Sequence, residues 1–242
     1  MQKLGTYTFH IDPYLTDFNG RATLTMVANF ILQAATKHAE ARGFGYNYMK
    51  SINRAWVLSR MTMEIYQYPD NEQNINVTTW IAEVNKMFTE RNFSFTNDSG
   101  KIIGYARTIW ANIDVNTRHA ENVSELYNIV DFITENPCPI ENMRKIMPFK
   151  DEPQSGKFTI RYSDVDINNH LNSVKYIEHF VDMFDIQMFK TKQIERFEIH
   201  FAAEAVYGQK IALFKKQEAE NVFALEMRSD EIVISSARAY FN

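Results

Sequence analysis

The chain of 242 residues carries one polar loop twice, each time just before a helix-like segment. Asp17 and Asn19 of the first copy recur as Asp166 and Asn168 of the second, at a constant offset of 149 residues. Strand-like residues precede each copy, and a helical pattern followed by strand-like patterns comes after it, in the same order. Because several features recur in one order, they indicate a duplicated unit, whereas any one alone would be a chance match.

Hydrophobic spacing predicts what each half contains. A helix is predicted from Leu24 to about Ala39, with Thr23 as its N-cap and Gly43 or Gly45 as its stop. Its apolar residues cover most of its circumference, so it is expected to be largely buried. The second helix is predicted from an apolar face formed by Val174, Ile177, Phe180, Val181 and Phe184. Alternating strand patterns follow both helices.

A long buried helix wrapped by an antiparallel sheet, present twice, is the pattern of a double hotdog in the α+β class. A parallel βαβ fold fits less well, because each half has one helix followed by several strands. We expect an N-terminal hotdog over 1–115, an interdomain linker over 116–156 and a C-terminal hotdog over 157–242. The prolines of the middle segment favour a linker there, with a short helical piece near Val123–Phe132.

Composition and charge exclude several classes of protein. The 26 Lys and Arg against 30 Asp and Glu give a net charge of −4, which argues against a general nucleic-acid or membrane-surface binder. No apolar run approaches the roughly 18 residues of a membrane span, and the first residues lack the apolar core of a signal peptide. These features predict a cytoplasmic protein with no membrane insertion. Phosphate-binding Gly-rich loops and the His-Glu-x-x-His zinc motif are missing, so no cofactor and no metal are expected.

The second copy of the loop, residues 164–173, holds the densest cluster of polar side chains. One interpretation is a turn with a helix N-cap, because Asp, Asn and Ser satisfy free backbone N–H groups. A calcium loop is a second interpretation, since Asp and Asn occupy alternate positions. It is rejected because its sixth position is Asn169 rather than Gly and its twelfth is Lys175 rather than Glu.

A third interpretation of this loop is catalytic. Asp166, Asn168 and His170 can converge in an irregular turn, beside helix N–H groups that attract developing negative charge. Histidine exchanges protons near neutral pH, whereas the first copy has Arg21 at this place, and arginine cannot act as a base. The shared Asp-x-Asn pattern favours a structural turn, and the histidine of the second copy favours a single specialised site. A Gly-x-Ser-x-Gly elbow is missing, and Cys138 lies between two prolines far from His170, so hydrolysis by activated water is the natural chemistry.

The run from Asp164 to Ile177 closely resembles the signature of acyl-ACP thioesterases, the plant-type and related bacterial enzymes that end fatty-acid synthesis. Further segments similar to that family are Asn29–Ala35, Trp56–Met61, Tyr68–Pro69 and Thr79–Ile81. The resemblance covers nearly the whole chain. It implies a double hotdog that hydrolyses the thioester between a fatty acyl chain and acyl carrier protein.

The resemblance also implies where the chemistry lies. The family's polar site maps onto Asp166, Asn168 and His170, with a glutamate of the following strand that matches Glu204. Many members carry a cysteine beside that glutamate; here the residue is Ala205, which removes a papain-like scheme. As a hypothesis, His170 takes a proton from water, while Asp166 either orients the water or forms a transient acyl anhydride. Asn168 would fix Asp166, His170 or the carbonyl, and Glu204 would orient or activate water.

Further expectations concern the oxyanion, the acyl chain and the carrier. Backbone N–H groups of residues 171–174 would stabilise the oxyanion. Family analogy places the acyl chain in the N-terminal half, where candidate wall residues are Phe30, Trp56, Met61 and Met63. Acyl carrier protein is acidic, so docking needs a basic patch. Candidate basic residues are Arg144, Lys145, Lys150, Lys190, Lys192 and Arg196.

Three alternatives to an acyl-ACP thioesterase stay open. They are an acyl-CoA thioesterase on the same fold, a hotdog dehydratase or hydratase, and a non-catalytic acyl-binding module. A monomer and a homodimer both fit, since two fused hotdogs already supply one pseudo-twofold interface.

Overall fold

The computed structural model describes residues 2–126 and 128–242 of the chain. These residues divide into two compact units, Met1–Asn142 and Met143–Asn242. The N-terminal unit contains β1 (Gly5–His10), α1 (Leu24–Glu40), α2 (Tyr46–Ser51), β2 (Arg54–Ile65), β3 (Asn74–Val84), β4 (Phe88–Thr96) and β5 (Ile102–Asp114). The C-terminal unit contains β6 (Gln154–Thr159), α3 (Ser173–Val181), α4 (Ile186–Thr191), β7 (Ile194–Phe201), β8 (Lys210–Ala219), β9 (Val222–Ser229) and β10 (Ile232–Phe241).

The strands of the two units pair in the same order, and every pairing is antiparallel. In the N-terminal unit the order is β1-β3-β4-β5-β2. In the C-terminal unit it is β6-β8-β9-β10-β7. Each unit is therefore a hotdog, and the predicted α+β double hotdog is confirmed. No helix of the described residues is long and apolar enough to cross a membrane.

The first helix forms where the sequence predicts it. The Thr23 hydroxyl accepts a hydrogen bond from the Met26 N–H at 3.2 Å, which caps α1. Residues Ile31 and Ala34 are fully buried, as expected for a helix that is apolar on most sides. The helix ends at Glu40, and Gly43 follows it with a φ of +82°, a conformation that glycine adopts without strain.

The second helix is shorter than predicted. It has 9 residues where α1 has 17, so the expectation of a long buried helix in both repeats was wrong for the second. The Asp185 carboxylate accepts the Gln187 N–H at 2.7 Å and starts the separate helix α4. Phe184 lies between α3 and α4, where it packs edge-on against Phe223 and Phe241. This N-cap and this aromatic packing break the helical run.

The predicted domain boundaries also need correction. Much of the segment 116–156 belongs to the N-terminal unit, because its apolar side chains pack in that unit's core. The short 3-10 turns Val123–Glu125 and Ile129–Phe132 bury Val123 and Phe132 against Phe44. The C-terminal sheet begins at Gln154, three residues before the predicted boundary at 157. The helical piece expected near Val123–Phe132 is thus two 3-10 turns.

Candidate active site

The loop before α3 is built on the carboxylate of Asp166. Its Oδ1 accepts the backbone N–H of Asn168 at 2.8 Å and that of His170 at 3.3 Å. The Asp166 N–H donates to the His170 carbonyl at 2.9 Å, which closes the turn. Asn169 adopts a φ of +62°, a left-handed conformation that asparagine tolerates better than most residues. The turn interpretation therefore describes this backbone, and it places His170 at the loop's end.

The first copy of the loop has the same backbone. Asp17 Oδ1 accepts the N–H of Asn19 at 2.7 Å and that of Arg21 at 3.2 Å, and the Asp17 N–H donates to the Arg21 carbonyl at 2.7 Å. Gly20, with a φ of +74°, stands where the second copy has Asn169. The Asp-x-Asn pattern thus builds the turn in both halves, and the imidazole distinguishes the second.

The structure brings His170 and Glu204 together. The His170 Nε2 lies 3.4 Å from the Glu204 Oε2, and the two side chains are 27% and 40% exposed. The main chain enforces this approach, because the Leu171 N–H donates to the Ala205 carbonyl at 2.7 Å and His170 forms a backbone bridge with Val206. Asn168 is exposed, and its Nδ2 is 3.5 Å from the Asp166 Oδ2, at the limit of a hydrogen bond. The carboxylate against the imidazole is thus that of Glu204.

The matching position of the first half holds no carboxylate. There the Ala22 N–H donates to the Pro69 carbonyl at 2.9 Å, so Tyr68 stands where the second half has Glu204. Tyr68 is buried, and this burial raises the pKa of its phenol above the usual range. At these two matching positions the first half therefore has an arginine and a neutral phenol, whereas the second half has an imidazole and a carboxylate in contact.

The expected set of oxyanion donors is largely occupied. The N–H of Asn172 donates to the Asp164 carbonyl at 2.8 Å, and that of Val174 donates to the Asn172 side chain at 2.9 Å. With the bond from Leu171 to Ala205, three of the four N–H groups are satisfied, so the expectation for the whole stretch was wrong. The fourth N–H, that of Ser173, is the first of α3, where the geometry of a helix leaves N–H groups without an intrahelical acceptor.

Tyr176 supports the site, and sequence analysis gave it no role. Its hydroxyl donates to the Ala203 carbonyl at 3.3 Å, which ties α3 to the segment that carries Glu204. Burial raises the pKa of Tyr176 to about 12, and the negative charge of Asp166 adds to this effect, so the phenol stays a neutral donor. Val27 stands at the matching position of the first half, 149 residues earlier. Comparing the two repeats position by position would have identified Tyr176.

An open cleft of about 780 Å³ lies beside this loop in the C-terminal unit. Asp166 and Asn169 line it, together with the aromatic rings of Tyr162 and Tyr207. Both rings are mostly exposed, at 87% and 68%. An open space with an apolar rim therefore adjoins the polar loop.

The structure does not gather the other candidate residues into this site. Phe30, Met61 and Met63 are buried, and the Trp56 indole donates to the Phe44 carbonyl at 2.9 Å, so these side chains belong to the core of the N-terminal unit. Among the described residues, there is no group of three or more His, Cys, Asp or Glu that could hold a metal ion.

The cysteine and part of the basic set also have structural roles. Burial raises the pKa of the Cys138 thiol, and its Sγ lies 3.9 Å from the Ala106 carbonyl oxygen, which leaves it a poor nucleophile. Arg196 forms an ion pair with the buried Glu198 at 2.7 Å. Lys192 is hydrogen-bonded to Asn221. The charges of Arg196 and Lys192 are therefore already engaged within the chain.

Comparison with known proteins agrees with this architecture. Residues 3–130 match the family model for the acyl-ACP thioesterase N-terminal domain, and residues 148–242 match that for the C-terminal domain. The chain is 26% identical over 217 residues to the chloroplastic oleoyl-acyl carrier protein thioesterase of Coriandrum sativum, covering 81% of this chain and 58% of that protein. The chain thus spans little more than half the length of this curated relative.

Two solved structures cover the chain almost completely. An acyl-ACP thioesterase from Bacteroides thetaiotaomicron superposes with a TM-score of 0.94 at 39% identity, over 99% of this chain and 98% of that one. The 12:0-ACP thioesterase from Umbellularia californica superposes with a TM-score of 0.90 at 18% identity, over 100% and 98% of the two chains, which shows a shared fold. The family models match both halves of the sequence and both hotdog units, so the chain belongs to the acyl-ACP thioesterase family.

Proposed function

We propose that this chain hydrolyses the thioester of a fatty acyl-acyl carrier protein and releases a free fatty acid, the step that ends fatty-acid synthesis. The observation that carries the proposal is the contact of 3.4 Å between His170 and Glu204, present in one of two otherwise matching loops. Support for the substrate class comes from the relatives, whose names describe thioesterases of oleoyl- and 12:0-acyl carrier protein.

In the proposed reaction His170 is the general base. When Nε2 carries the imidazole proton and points it at Glu204, the lone pair lies on Nδ1, which takes a proton from the attacking water. The Glu204 carboxylate then stabilises the imidazolium that forms. The oxyanion of the tetrahedral intermediate accepts a hydrogen bond from the Ser173 N–H, at the positive end of α3. The proton on His170 passes to the leaving thiolate.

Asp166 acts in this scheme by holding the loop. Its Oδ1 accepts two backbone N–H groups, which neutralise part of its negative charge and weaken it as a nucleophile. Asp17 makes the same bonds in the half that lacks a histidine, so the arrangement needs no catalytic explanation. We therefore favour attack by water over an anhydride of Asp166. Asn168 steadies the Asp166 carboxylate through its backbone N–H.

The carrier and the acyl chain belong to the same proposal. The acyl chain lies in the N-terminal hotdog, between α1 and the sheet, by analogy with the family. Four of the candidate basic residues are exposed and stay proposed for contact with the acidic carrier protein: Arg144, Lys145, Lys150 and Lys190. A cytoplasmic location, and a monomer or homodimer, stay predictions that cell fractionation and light scattering would test.

A free-thiol release assay tests the proposal. Wild type is measured across a series of acyl-ACP chain lengths and matched acyl-CoA, beside Asp166→Ala and His170→Ala. We expect thiol release from acyl-ACP that His170→Ala abolishes while its Tm is unchanged. Faster release from acyl-CoA would instead assign the acyl-CoA thioesterase, and acyl binding without release would assign a non-catalytic module.

A further inference from the structure

A second acid–base pair joins the loop of residues 164–173 to α3. Asp164 is 7% exposed, and its Oδ1 lies 3.7 Å from the Nε2 of His179 on α3. The His179 ring stacks on Phe158 of β6, with ring centroids 3.7 Å apart. The Nε2 is buried and has no hydrogen-bond partner among the described residues. The function proposed above uses neither side chain.

The first half provides an internal comparison for this pair. At the offset of 149 residues, Leu15 stands for Asp164, Phe30 for His179 and Phe9 for Phe158. Phe9 and Phe30 stack there with centroids 4.7 Å apart and an interplanar angle of 18°, close to the 20° of the second half. The fold therefore packs this position well with apolar side chains.

The backbone around the two positions is also the same. The Leu15 carbonyl accepts the Thr23 N–H at 3.4 Å, as the Asp164 carbonyl accepts the Asn172 N–H at 2.8 Å. Because the same turn forms around leucine, the fold does not require a carboxylate here. Burying a carboxylate beside an imidazole without a close hydrogen bond between the two is also unfavourable for stability. The polar pair replaces the apolar one in the half that carries His170 and Glu204.

Asp164 is placed to control the geometry of the loop. Its Oδ2 accepts the Arg161 N–H at 2.8 Å, and its carbonyl accepts the Asn172 N–H, so it joins the two ends of the segment that holds His170. The contact with His179, at 3.7 Å, is about 0.7 Å longer than an ordinary N–H···O hydrogen bond of about 3.0 Å. A small movement of the loop toward α3 would complete it.

We propose that Asp164 and His179 form a positioning pair, which holds the loop against α3 and thereby sets the place of the His170 imidazole. This inference rests on the proposed function. Neither side chain touches the reacting atoms; the pair acts through the loop.

Burial favours the neutral form of His179. Burial lowers the pKa of His179, and the carboxylates of Asp164, Glu178 and Asp182 oppose this effect, while Lys175 adds to it. Protonation of His179 at acidic pH places a full charge beside Asp164 and draws the two groups together. The pair therefore links the position of the loop to pH.

The test replaces the pair by the residues of the first half, as the double variant Asp164→Leu with His179→Phe. We expect its Tm to equal or exceed that of wild type, because apolar replacements of buried ion pairs are often neutral or stabilising. We expect kcat toward acyl-ACP to fall roughly 10- to 100-fold with little change in KM, the loss typical of a misplaced catalytic group. The control Leu15→Ala, at the matching place in the other unit, lowers Tm and leaves kcat unchanged.

A second readout separates this proposal from the proposed function. The imidazole ¹⁵N spectrum of His170, followed over pH, should change between wild type and the double variant, whether or not the enzyme hydrolyses acyl-ACP. Asp164→Asn keeps the shape of the side chain and the acceptor for the Arg161 N–H. It should change the His170 spectrum in the same direction but by a smaller amount. This variant replaces the double variant in the test if the double variant does not fold. A wild-type spectrum of His170 in these variants would overturn the positioning role, as would wild-type kcat in an active enzyme.

Discussion

Replacing Glu204 by glutamine removes a negative charge 3.4 Å from the His170 Nε2 and keeps the shape of the side chain. If His170 becomes an imidazolium in the transition state, the variant loses the attraction between two unit charges at this distance. That attraction is about 1.2 kcal/mol at a dielectric constant of about 80, and about 2.4 kcal/mol at about 40. Both side chains are partly exposed to water, so a dielectric constant between about 40 and 80 applies to this pair. It corresponds to a fall in kcat of roughly 8- to 60-fold.

The assay is thiol release from one saturating acyl-ACP by wild type, Glu204→Gln, His170→Ala and the double variant. Because Glu204 acts through His170, its replacement should cost little once the imidazole is gone. We expect the double variant to be as slow as His170→Ala alone. Two results would refute the reasoning: a kcat of Glu204→Gln within twofold of wild type, or losses that add fully in the double variant.

Three further predictions follow from the repeat and the buried core. Asp166→Ala and Asp17→Ala should each lower the free energy of unfolding by about 1 kcal/mol in urea titrations, since each removes the acceptor of two N–H groups. Only Asp166→Ala should reduce thiol release. Equal activity of the two variants would contradict this prediction. Gly20→Val should destabilise the fold by about 1–2 kcal/mol, because its φ is +74°, whereas Asn169→Gly should be tolerated in thermal unfolding. Burial lowers the pKa of His38 from 6.5 to about 3. Between these pH values the unfolded chain binds a proton that the folded chain does not, so the free energy of unfolding should fall as the pH drops from 6.5 toward 3. Urea titrations at several pH values measure this dependence, and a free energy of unfolding that stays constant over this range would contradict the prediction.

Much of the fold is readable from local patterns. The alternation in β3 to β5 and the N-cap at Thr23 point to elements that the structure contains. Strand β2 gives no clean alternation, because the register of its pairing shifts between Leu58 and Arg60 and the bulge interrupts the period of two. The break after α3 depends on where Phe184 finds aromatic partners in the folded chain. Such long-range packing leaves no periodic signal.

The candidate site, too, can be predicted from the sequence only in part. His170 stands out in the sequence because the first copy has Arg21 at its place. The contact with Glu204 needs the backbone bonds that join residues 171 and 205, and their spacing in sequence gives no hint of it. The N-cap bond from Val174 to Asn172 follows from the turn interpretation, whereas the acceptors of the Leu171 and Asn172 N–H groups could not be foreseen, since they depend on the folded turn.

The two loops share one backbone, and His170 of the second stands where the first has Arg21, so the most direct test compares that position in both halves. The single-turnover rate of thiol release from one acyl-ACP is measured for His170→Ala and for the matched Arg21→Gln. We expect Arg21→Gln to stay within about twofold of wild type, and His170→Ala to lose roughly a thousandfold or more, the scale of a missing general base. Rapid release by His170→Ala, or similar losses in both variants, would contradict a single hydrolytic site in the second repeat.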